Sequence, residues 1–354
     1  MNPRIYAPVL VSALLSVNAI ANEIEEVIVT SSLIDQTLSD IENPLHVVSG
    51  EDISINASQS LGESLDGLLG VSSADYGSGV GQPIIRGMSG NRVKILNNGM
   101  VVRDVGGIGA DHVNDVDLNN IQQIEIVRGP SSLLYANGTI GGIINIVDST
   151  IAREDFTDSE LKLGLEAQSV NDGDSHNLSY QNNLGGLNFS FAYKDSQFDN
   201  FDVPTGAILH DEDHDDEHED EHEDEHEEEE VGFLSNSDFE NKALRLGVSK
   251  VGDWGYFGVS VSSVESIYGI PFHGDEHGDE HEGEEHEEEH EGEEHEGEEH
   301  EGERIFSTTD SEVVNLEGAY IVSNSWLKKV NYFIRDTDYS LTEQHAEEEH
   351  EGEE

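Results

Sequence analysis

The fold is decided by the stretch Leu187-Asn188-Phe189-Ser190-Phe191-Ala192-Tyr193-Lys194, in which apolar and polar side chains alternate without interruption. The same alternation returns in residues 257–262 and 330–335. A period of two places the apolar side chains of a segment on one face of a β-strand. The C-terminal part of the chain is therefore predicted to be antiparallel sheet with one apolar face.

Seven strands are predicted in this part of the chain, each roughly 10 residues long. They span residues 160–169, 175–184, 187–198, 239–250, 254–267, 312–322 and 326–341. A soluble sandwich and a transmembrane barrel both produce such alternation, so the pattern alone does not separate them. The connections favour the barrel, because short turns alternate with long loops, as in outer-membrane barrels.

The long connections contain three acidic, histidine-rich tracts, at residues 210–230, 273–303 and 343–354. These tracts hold 41 of the 77 acidic residues and 14 of the 17 histidines, and they contain no Lys or Arg. They account for most of the formal net charge of −61. The tracts follow the third, fifth and seventh strands. In an up-and-down barrel, the connections that follow odd-numbered strands all lie on the same side of the membrane. All three are therefore predicted to face the outside of the cell.

The N-terminal part of the chain has a different pattern. Residues 23–150 mix short β-type runs with Gly-rich turns, and the leucine spacing over Ser60–Leu69 predicts a short amphipathic helix. This part is predicted to be a compact α+β domain. Residues 1–21 have a basic start, an apolar stretch and the cleavage pattern Ala19-Ile20-Ala21, which is the layout of a secretory signal peptide. The mature protein is therefore predicted to be exported.

Several classes of function are excluded or disfavoured by composition. The chain has no Cys, which excludes disulfides, thiolate metal sites and a cysteine nucleophile. Nucleic acid is not expected as a partner, because the basic surface that phosphate binding requires is missing. The chain has no phosphate loop and no G-x-S-x-G, and its H-E-x-E-H strings lie in acidic repeats without an amphipathic helix. No enzymatic activity and no cofactor are predicted.

Four segments between about residues 25 and 148 resemble a TonB-dependent outer-membrane receptor. Glu26, Val27, Ile28, Val29 and Thr30 resemble the TonB box, and residues 83–92, 124–130 and 133–146 resemble the plug motifs. The resemblance implies an α+β plug domain followed by an antiparallel transmembrane β-barrel in the outer membrane of a Gram-negative bacterium. It also implies that Glu26–Thr30 bind the inner-membrane TonB protein by strand addition, and that the proton-motive force drives transport.

The resemblance also divides the chain. It gives a signal peptide (1–21), a TonB-box segment and linker (22–40), a plug domain (41–150) and the N-terminal part of a barrel (158–354). The histidine-rich extracellular loops are expected at 199–238, 268–304 and 342–354. Receptor barrels of this kind have about 22 strands, of which seven are counted here. The chain is therefore expected to be the front of a longer receptor, because seven strands would leave two open edges in lipid.

The dipeptide Asp111-His112 narrows the resemblance to the zinc-receptor branch. Members of that branch carry His- and acid-rich extracellular loops, and an Asp-His pair on the plug a short way before its Arg-Gly-Pro motif. Asp111 and His112 occupy the matching place here, ahead of Arg128-Gly129-Pro130. The resemblance implies that both are metal ligands. Without the resemblance, the dipeptide would be interpreted as part of an exposed loop.

The tract histidines recur every four or five residues. Neutral imidazole with carboxylate suits zinc and, less specifically, nickel or copper. The tracts are predicted to concentrate divalent cations at the barrel mouth through weak, exchangeable sites; in the alternative reading they are solvated acidic loops with incidental His. The candidate metal ligands are Asp111, His112, His210, His214, His218, His222, His226, His273, His277, His281, His286, His290, His295, His300, His345 and His350.

These observations together predict a receptor that imports zinc or another divalent metal. Zinc is the transported ligand, and the expected partners are the TonB protein, the metal ion and outer-membrane lipid. Two alternatives stay open: a haem or metal-siderophore receptor of the same fold, and a truncated metal-binding fragment that does not transport. Capture by imidazole is expected to weaken as pH falls through about 6.5, because only neutral His binds metal.

Overall fold

The structure is a computed structural model, and it describes residues 28–29, 36–37, 45–56, 59–129, 132, 138–204, 207, 232–271, 304–324 and 326–346. The chain divides into two compact units, Met1–Glu42 and Asn43–Glu354. In the first unit, β1 (Ile28–Val29) pairs antiparallel with β2 (Gln36–Thr37). All other elements belong to the second unit.

The N-terminal domain, residues 45–148, is built on a five-stranded mixed sheet and a hairpin. Its strands are β3 (Leu45–Ser49), β4 (Val71–Asp75), β5 (Gly81–Ile85), β6 (Val93–Asn97), β7 (Met100–Val101), β8 (Ile121–Val127) and β9 (Gly142–Asp148). The sheet has the order β3-β8-β9-β6-β7, and β4 pairs with β5. Every residue of the Ile-rich strand β9 is buried between antiparallel β8 and parallel β6, as expected for a central strand.

Two short helices cover this sheet, α1 (Gly50–Asn56) and α2 (Leu61–Leu65), and a 3-10 turn spans Gly90–Arg92. Ser60 caps α2 by accepting a hydrogen bond from the Glu63 amide. The helix predicted over Ser60–Leu69 is therefore too long, because the backbone turns at Gly67, where φ is +80°. Leu61 and Leu65 still bury the predicted stripe in the sheet core. None of the described helices is long and apolar enough to cross a membrane.

The C-terminal part is a seven-stranded antiparallel meander in which strands pair in chain order. Its strands are β10 (Glu160–Gln168), β11 (Gly173–Leu184), β12 (Leu187–Phe198), β15 (Phe239–Gly252), β16 (Gly255–Gly269), β17 (Arg304–Ile321) and β18 (Lys329–Ala346). A small pair, β13 (Phe201–Asp202) and β14 (Phe233–Leu234), lies in the connection between β12 and β15. All seven predicted strands are thus confirmed.

The last two strands are longer than the sequence predicted. β17 begins at Arg304 rather than at 312, and β18 runs to Ala346, into the loop predicted at 342–354. The two strands stay paired from Arg304↔Ala346 to Ile321↔Lys329. Several outward positions at this end are polar, such as Thr308 and Asp310, so the ladder continues where the apolar alternation has weakened.

The two faces of the meander differ in chemistry. On β16, Phe257, Val259 and Val261 are each about two-fifths exposed, whereas Ser260 between them is buried. The buried face packs on the N-terminal domain, and the apolar face points away from it. The outward apolar side chains are Leu161, Leu163, Leu165, Tyr180, Leu187, Tyr193, Leu244, Leu246, Val248, Phe257, Val259, Val261, Val314, Tyr320, Val330 and Ile334.

The strand ends that flank the three tracts lie at one edge of the meander, called here the tract edge. The chain enters the tracts after β13, after β16 and at the end of β18, while the connections at 185–186, 253–254 and 322–328 lie at the opposite edge. The tract residues 210–230 and 273–303 are outside the described residues.

Candidate metal site

Asp111 and His112 lie in the loop of residues 102–120, which joins β7 to β8 without regular secondary structure. The loop backbone is held by Gln82 on β5, whose side chain is almost fully buried. The Gln82 side-chain amide contacts the carbonyl oxygens of Gly106 and Gly109, and lies 3.0 Å from that of His112. One buried amide therefore fixes the backbone on both sides of Asp111.

The imidazole of His112 reaches the meander. Its Nδ1 lies 3.0 Å from the Tyr268 hydroxyl, and the two rings meet edge to face at 81°. Tyr268 is 0 % exposed and belongs to an apolar cluster between the N-terminal domain and the meander, which includes Val80, Val113, Phe198, Phe239, Ile270 and Ile305. Tyr268 is also the penultimate residue of β16, so His112 lies at the tract edge.

Asp111 lies next to His112 and interacts with the same end of β16. A Cβ at Gly109 would meet the Asp111 Oδ1 atom, so a larger residue there would require the Asp111 side chain to shift. The Asp111 charge also acts on the Tyr268 hydroxyl. Asp111 and His112 are both half-buried, which leaves them accessible to a solvated ion. Imidazole nitrogen and carboxylate oxygen are a donor set that zinc accepts.

The pair is smaller than a complete zinc site. Across the described residues there is no group of three or more His, Asp or Glu side chains that could hold a metal ion. Zinc is almost always four-coordinate in structural sites and takes three protein ligands in catalytic ones. The two side chains can therefore supply at most part of a coordination shell.

A second acidic pair in the same loop was not identified from the sequence. The Asp115 amide donates to Asp104 Oδ2 at 3.1 Å, and the Thr309 hydroxyl of β17 donates to Asp115 Oδ1 at 3.0 Å. Burial, and then the charge of Asp104, raises the pKa of Asp115 to about 7. Burial also raises the pKa of Asp104. The only sequence signal was the density of aspartates between residues 104 and 117.

A cavity of about 80 Å³ lies between the N-terminal domain and the meander, and both polar and apolar side chains line it. Arg245 of β15 enters it and forms ion pairs with Asp117 at 2.9 Å and Asp148 at 3.4 Å. Burial acts to raise the pKa of Asp148, but Arg245 and Asn97 hold that pKa below its ordinary value. On the same wall, Arg335 of β18 bonds Asn97 Oδ1 at 2.9 Å. The domain and the meander thus meet through buried charges.

The remaining predicted site residues fall largely outside the described part of the chain. Ile28 and Val29 form β1, whereas Glu26, Val27 and Thr30 are not described. His345 is part of strand β18. The other predicted ligands outside the described residues are His210, His214, His218, His222, His226, His273, His277, His281, His286, His290, His295, His300 and His350.

Comparison with known proteins shows which folds this architecture is similar to. Residues 37–143 match the sequence profile of the family "TonB-dependent Receptor Plug Domain". Among solved structures, the chain is similar to the copper transporter OprC (TM-score 0.56, 15% identity, covering 85% of this chain and 37% of that one). It is also similar to the FrpB iron transporter from Neisseria meningitidis (TM-score 0.55, 11% identity, 85% and 41% covered).

A third similar structure is the ferric yersiniabactin uptake receptor FyuA from Yersinia pestis (TM-score 0.56, 14% identity, 87% and 43% covered). The chain spans less than half the length of each of these three structures. At such identities the similarity concerns the fold. That fold is a plug domain followed by antiparallel strands that resemble part of a TonB-dependent receptor barrel, and the similar folds belong to transporters and receptors.

Proposed function

We propose that this protein is a TonB-dependent receptor that imports zinc, or another divalent metal, across the outer membrane of a Gram-negative bacterium. The observation that carries the proposal is the difference between the two faces of the meander. Its largely polar face packs on the plug domain, through contacts such as Arg245–Asp117 and Thr309–Asp115, and its apolar face points outward. A soluble sandwich would bury the apolar face instead, so this arrangement fits a sheet whose outer side contacts lipid.

The register of the meander supports the membrane assignment. Outward apolar residues continue from strand to strand, as in Val248↔Val259↔Leu316. Toward the tract edge, the outward row Asp195↔Lys242↔Glu265↔Asp310 is charged. An apolar band that ends in charged residues is the pattern of a strand leaving the hydrocarbon region of a bilayer.

The metal assignment rests on Asp111 and His112 at the tract edge. The strands that flank the acidic tracts end at the same edge, so a cation attracted by the tracts would meet the plug where its imidazole and carboxylate are accessible. Capture by weak sites followed by transfer to a discrete site needs this proximity. The printed names of the similar structures refer to copper, iron and ferric yersiniabactin, and the choice of zinc here rests on the His and carboxylate donors and on the absence of Cys.

Energy for transport would come through the segment Glu26–Thr30. Its residues Ile28 and Val29 already adopt strand conformation against β2. An extended segment with an open edge can add to the sheet of a partner, which is the mode of TonB binding that we propose. Force applied there would act on a plug that is held by buried ion pairs such as Arg245–Asp117.

The test is initial uptake of radioactive zinc by zinc-starved cells that produce the intact protein. We expect a loss of uptake in a strain without TonB, and a loss of about tenfold or more for His112→Ala at limiting zinc, because removing even an outer-shell partner of a ligand costs about 10- to 100-fold. The matched control is His176→Ala, because His176 is an exposed histidine on β11 that pairs with Asp174.

The same assay separates the alternatives. Excess haem or ferric siderophore should leave zinc uptake unchanged if zinc is the cargo. Competition by either compound, with zinc uptake unaffected by His112→Ala, would favour a haem or siderophore receptor. Binding of metal without TonB-dependent uptake would favour the non-transporting alternative.

A further inference from the structure

We propose that Tyr268 is a positioning residue for His112, and that its buried hydroxyl assigns Nε2 of His112 as the metal-binding nitrogen. This inference rests on the proposed function, because it takes His112 to be a metal ligand. The observation behind it is the 3.0 Å contact between His112 Nδ1 and the Tyr268 hydroxyl.

Tyr268 is held too firmly to follow a moving imidazole. Its side chain is 0 % exposed and packs among the apolar residues between plug and meander. Phe198 and Phe239 of that cluster stack on one another, with ring centroids 6.4 Å apart. The Ser307 side chain and the Val113 backbone also lie at the Tyr268 hydroxyl. The phenol is therefore a fixed reference point against which the imidazole is oriented.

The chemistry of imidazole then determines the free nitrogen. A neutral imidazole carries one N–H, and a metal ion binds at the nitrogen without it. With the metal at Nε2, the Nδ1–H donates to the Tyr268 oxygen, which is the common outer-shell arrangement that fixes the tautomer and the ring orientation of a ligand. Binding at Nδ1 would require the metal to replace Tyr268 in a closely packed cluster.

The site is consequently divided between two parts of the molecule. His112 and its backbone support Gln82 belong to the plug, and Tyr268 belongs to β16 of the meander. Metal affinity at His112 should therefore depend on the plug loop being docked against the meander. A displacement of the loop would break the hydrogen bond at Nδ1 and release the ring, so metal would be held less tightly in the displaced state.

The experiment measures Co²⁺ binding to the intact protein in detergent, with the tract histidines replaced by asparagine to remove their background. Tyr268→Phe removes only the hydroxyl, and we expect a loss of about 10- to 100-fold in affinity with a changed visible absorption band of bound Co²⁺. The matched control is Tyr76→Phe, because Tyr76 packs against the same apolar cluster. It should leave both affinity and spectrum unchanged.

A second pair of variants leaves Tyr268 in place. His112→Asn puts a polar atom near the Nδ1 position, and His112→Gln puts one near the Nε2 position. If Nε2 binds the metal, the Gln variant should keep weak Co²⁺ binding and the Asn variant should keep none. The opposite ranking would overturn the assignment of Nε2, whatever the folding of Tyr268→Phe.

The outcomes separate the two proposals. If His112→Ala abolishes the Co²⁺ spectrum but Tyr268→Phe binds like the wild type, the positioning role is wrong and the proposed metal site stands. If His112→Ala binds Co²⁺ like the wild type, the proposed metal site itself is wrong. Loss of affinity in both Tyr268→Phe and Tyr76→Phe would indicate damage to the cluster rather than positioning.

Discussion

At the scale of single residues, Arg245 compensates buried carboxylate charge between plug and meander. It is 7 % exposed and forms ion pairs with Asp117 and Asp148, both of which are buried on the plug side. Arg245→Met should destabilise the intact protein by about 3–5 kcal/mol, because two carboxylates lose their counter-charge. The measurement is the urea unfolding midpoint in detergent micelles.

The control for Arg245 is the triple variant Arg245→Met, Asp117→Asn, Asp148→Asn. It removes the two carboxylate charges together with the guanidinium charge. The variant should recover much of the lost stability, because neutral replacement of buried ion pairs is often tolerated. A triple variant no more stable than Arg245→Met would contradict the assignment of the loss to uncompensated charge.

Asp115 predicts a dependence of stability on pH. The groups that face it are Asp104 on the plug and Thr309, Tyr339 and Tyr268 on the meander. The pKa of Asp115 is raised to about 7 when folded, from an ordinary value of 3.8. The folded state therefore binds the extra proton between these values, and this contribution to stability is complete below the lower one and lost as pH rises through the upper one.

Asp115→Asn should remove that dependence while keeping an acceptor for Thr309. We expect the variant to be more stable than the wild type at about pH 8 and similar to it at about pH 4, since the carboxyl is protonated there. Urea unfolding at the two pH values measures the difference. Equal effects at both values would mean that another group controls the pH response.

Only part of the candidate site could be predicted from the sequence. Asp111 and His112 stand next to each other in the chain, so their proximity needs no fold. Tyr268 is 156 positions from His112, and Gln82 is 30 positions before it. Their roles arise from the packing of β16 and β5 around one loop, and an isolated Tyr or Gln in a strand carries no local signal of such a partner.

At the scale of elements, strands were easier to predict than the helix. In the strands of the meander, apolar side chains recur at every second position within the apolar band. This period is visible in the sequence because one face of the meander is apolar and the other packs on the plug. The helix α2 was predicted too long because Leu68 and Leu69 continue the apolar stripe beyond Leu65. Leu69 is in fact 82 % exposed, since the turn at Gly67 carries it away from the core.

The outward face of β16 gives a prediction at this scale. Val259 lies at the centre of the apolar band, between Val248 and Leu316. If the band faces lipid, Val259→Arg should cost about 2–4 kcal/mol in folding into lipid vesicles, against about 0–1 kcal/mol for Thr308→Arg on the outward side near the tract edge. Equal costs at the two positions would argue against a membrane-facing band.

At the scale of the whole molecule, topology brings together parts that are far apart in the chain. The consecutive antiparallel order of the meander puts the strand ends flanking the tracts at one edge, and the plug loop with His112 contacts the meander at that same edge through Tyr268. The proximity of these strand ends to the plug loop is therefore a property of the assembled fold and not of any one segment.

The tracts provide the last prediction, because their His and acidic residues can be replaced separately. Replacing the tract histidines by Asn should slow zinc uptake severalfold when zinc is scarce, since neutral imidazoles no longer hold the ion near the plug. Replacing an equal number of tract Glu by Gln removes negative charge and keeps every His. Uptake that falls only with Glu→Gln would mean that the tracts act through their field alone; a fall with His→Asn that vanishes at abundant zinc would mean that they bind the ion before it reaches His112.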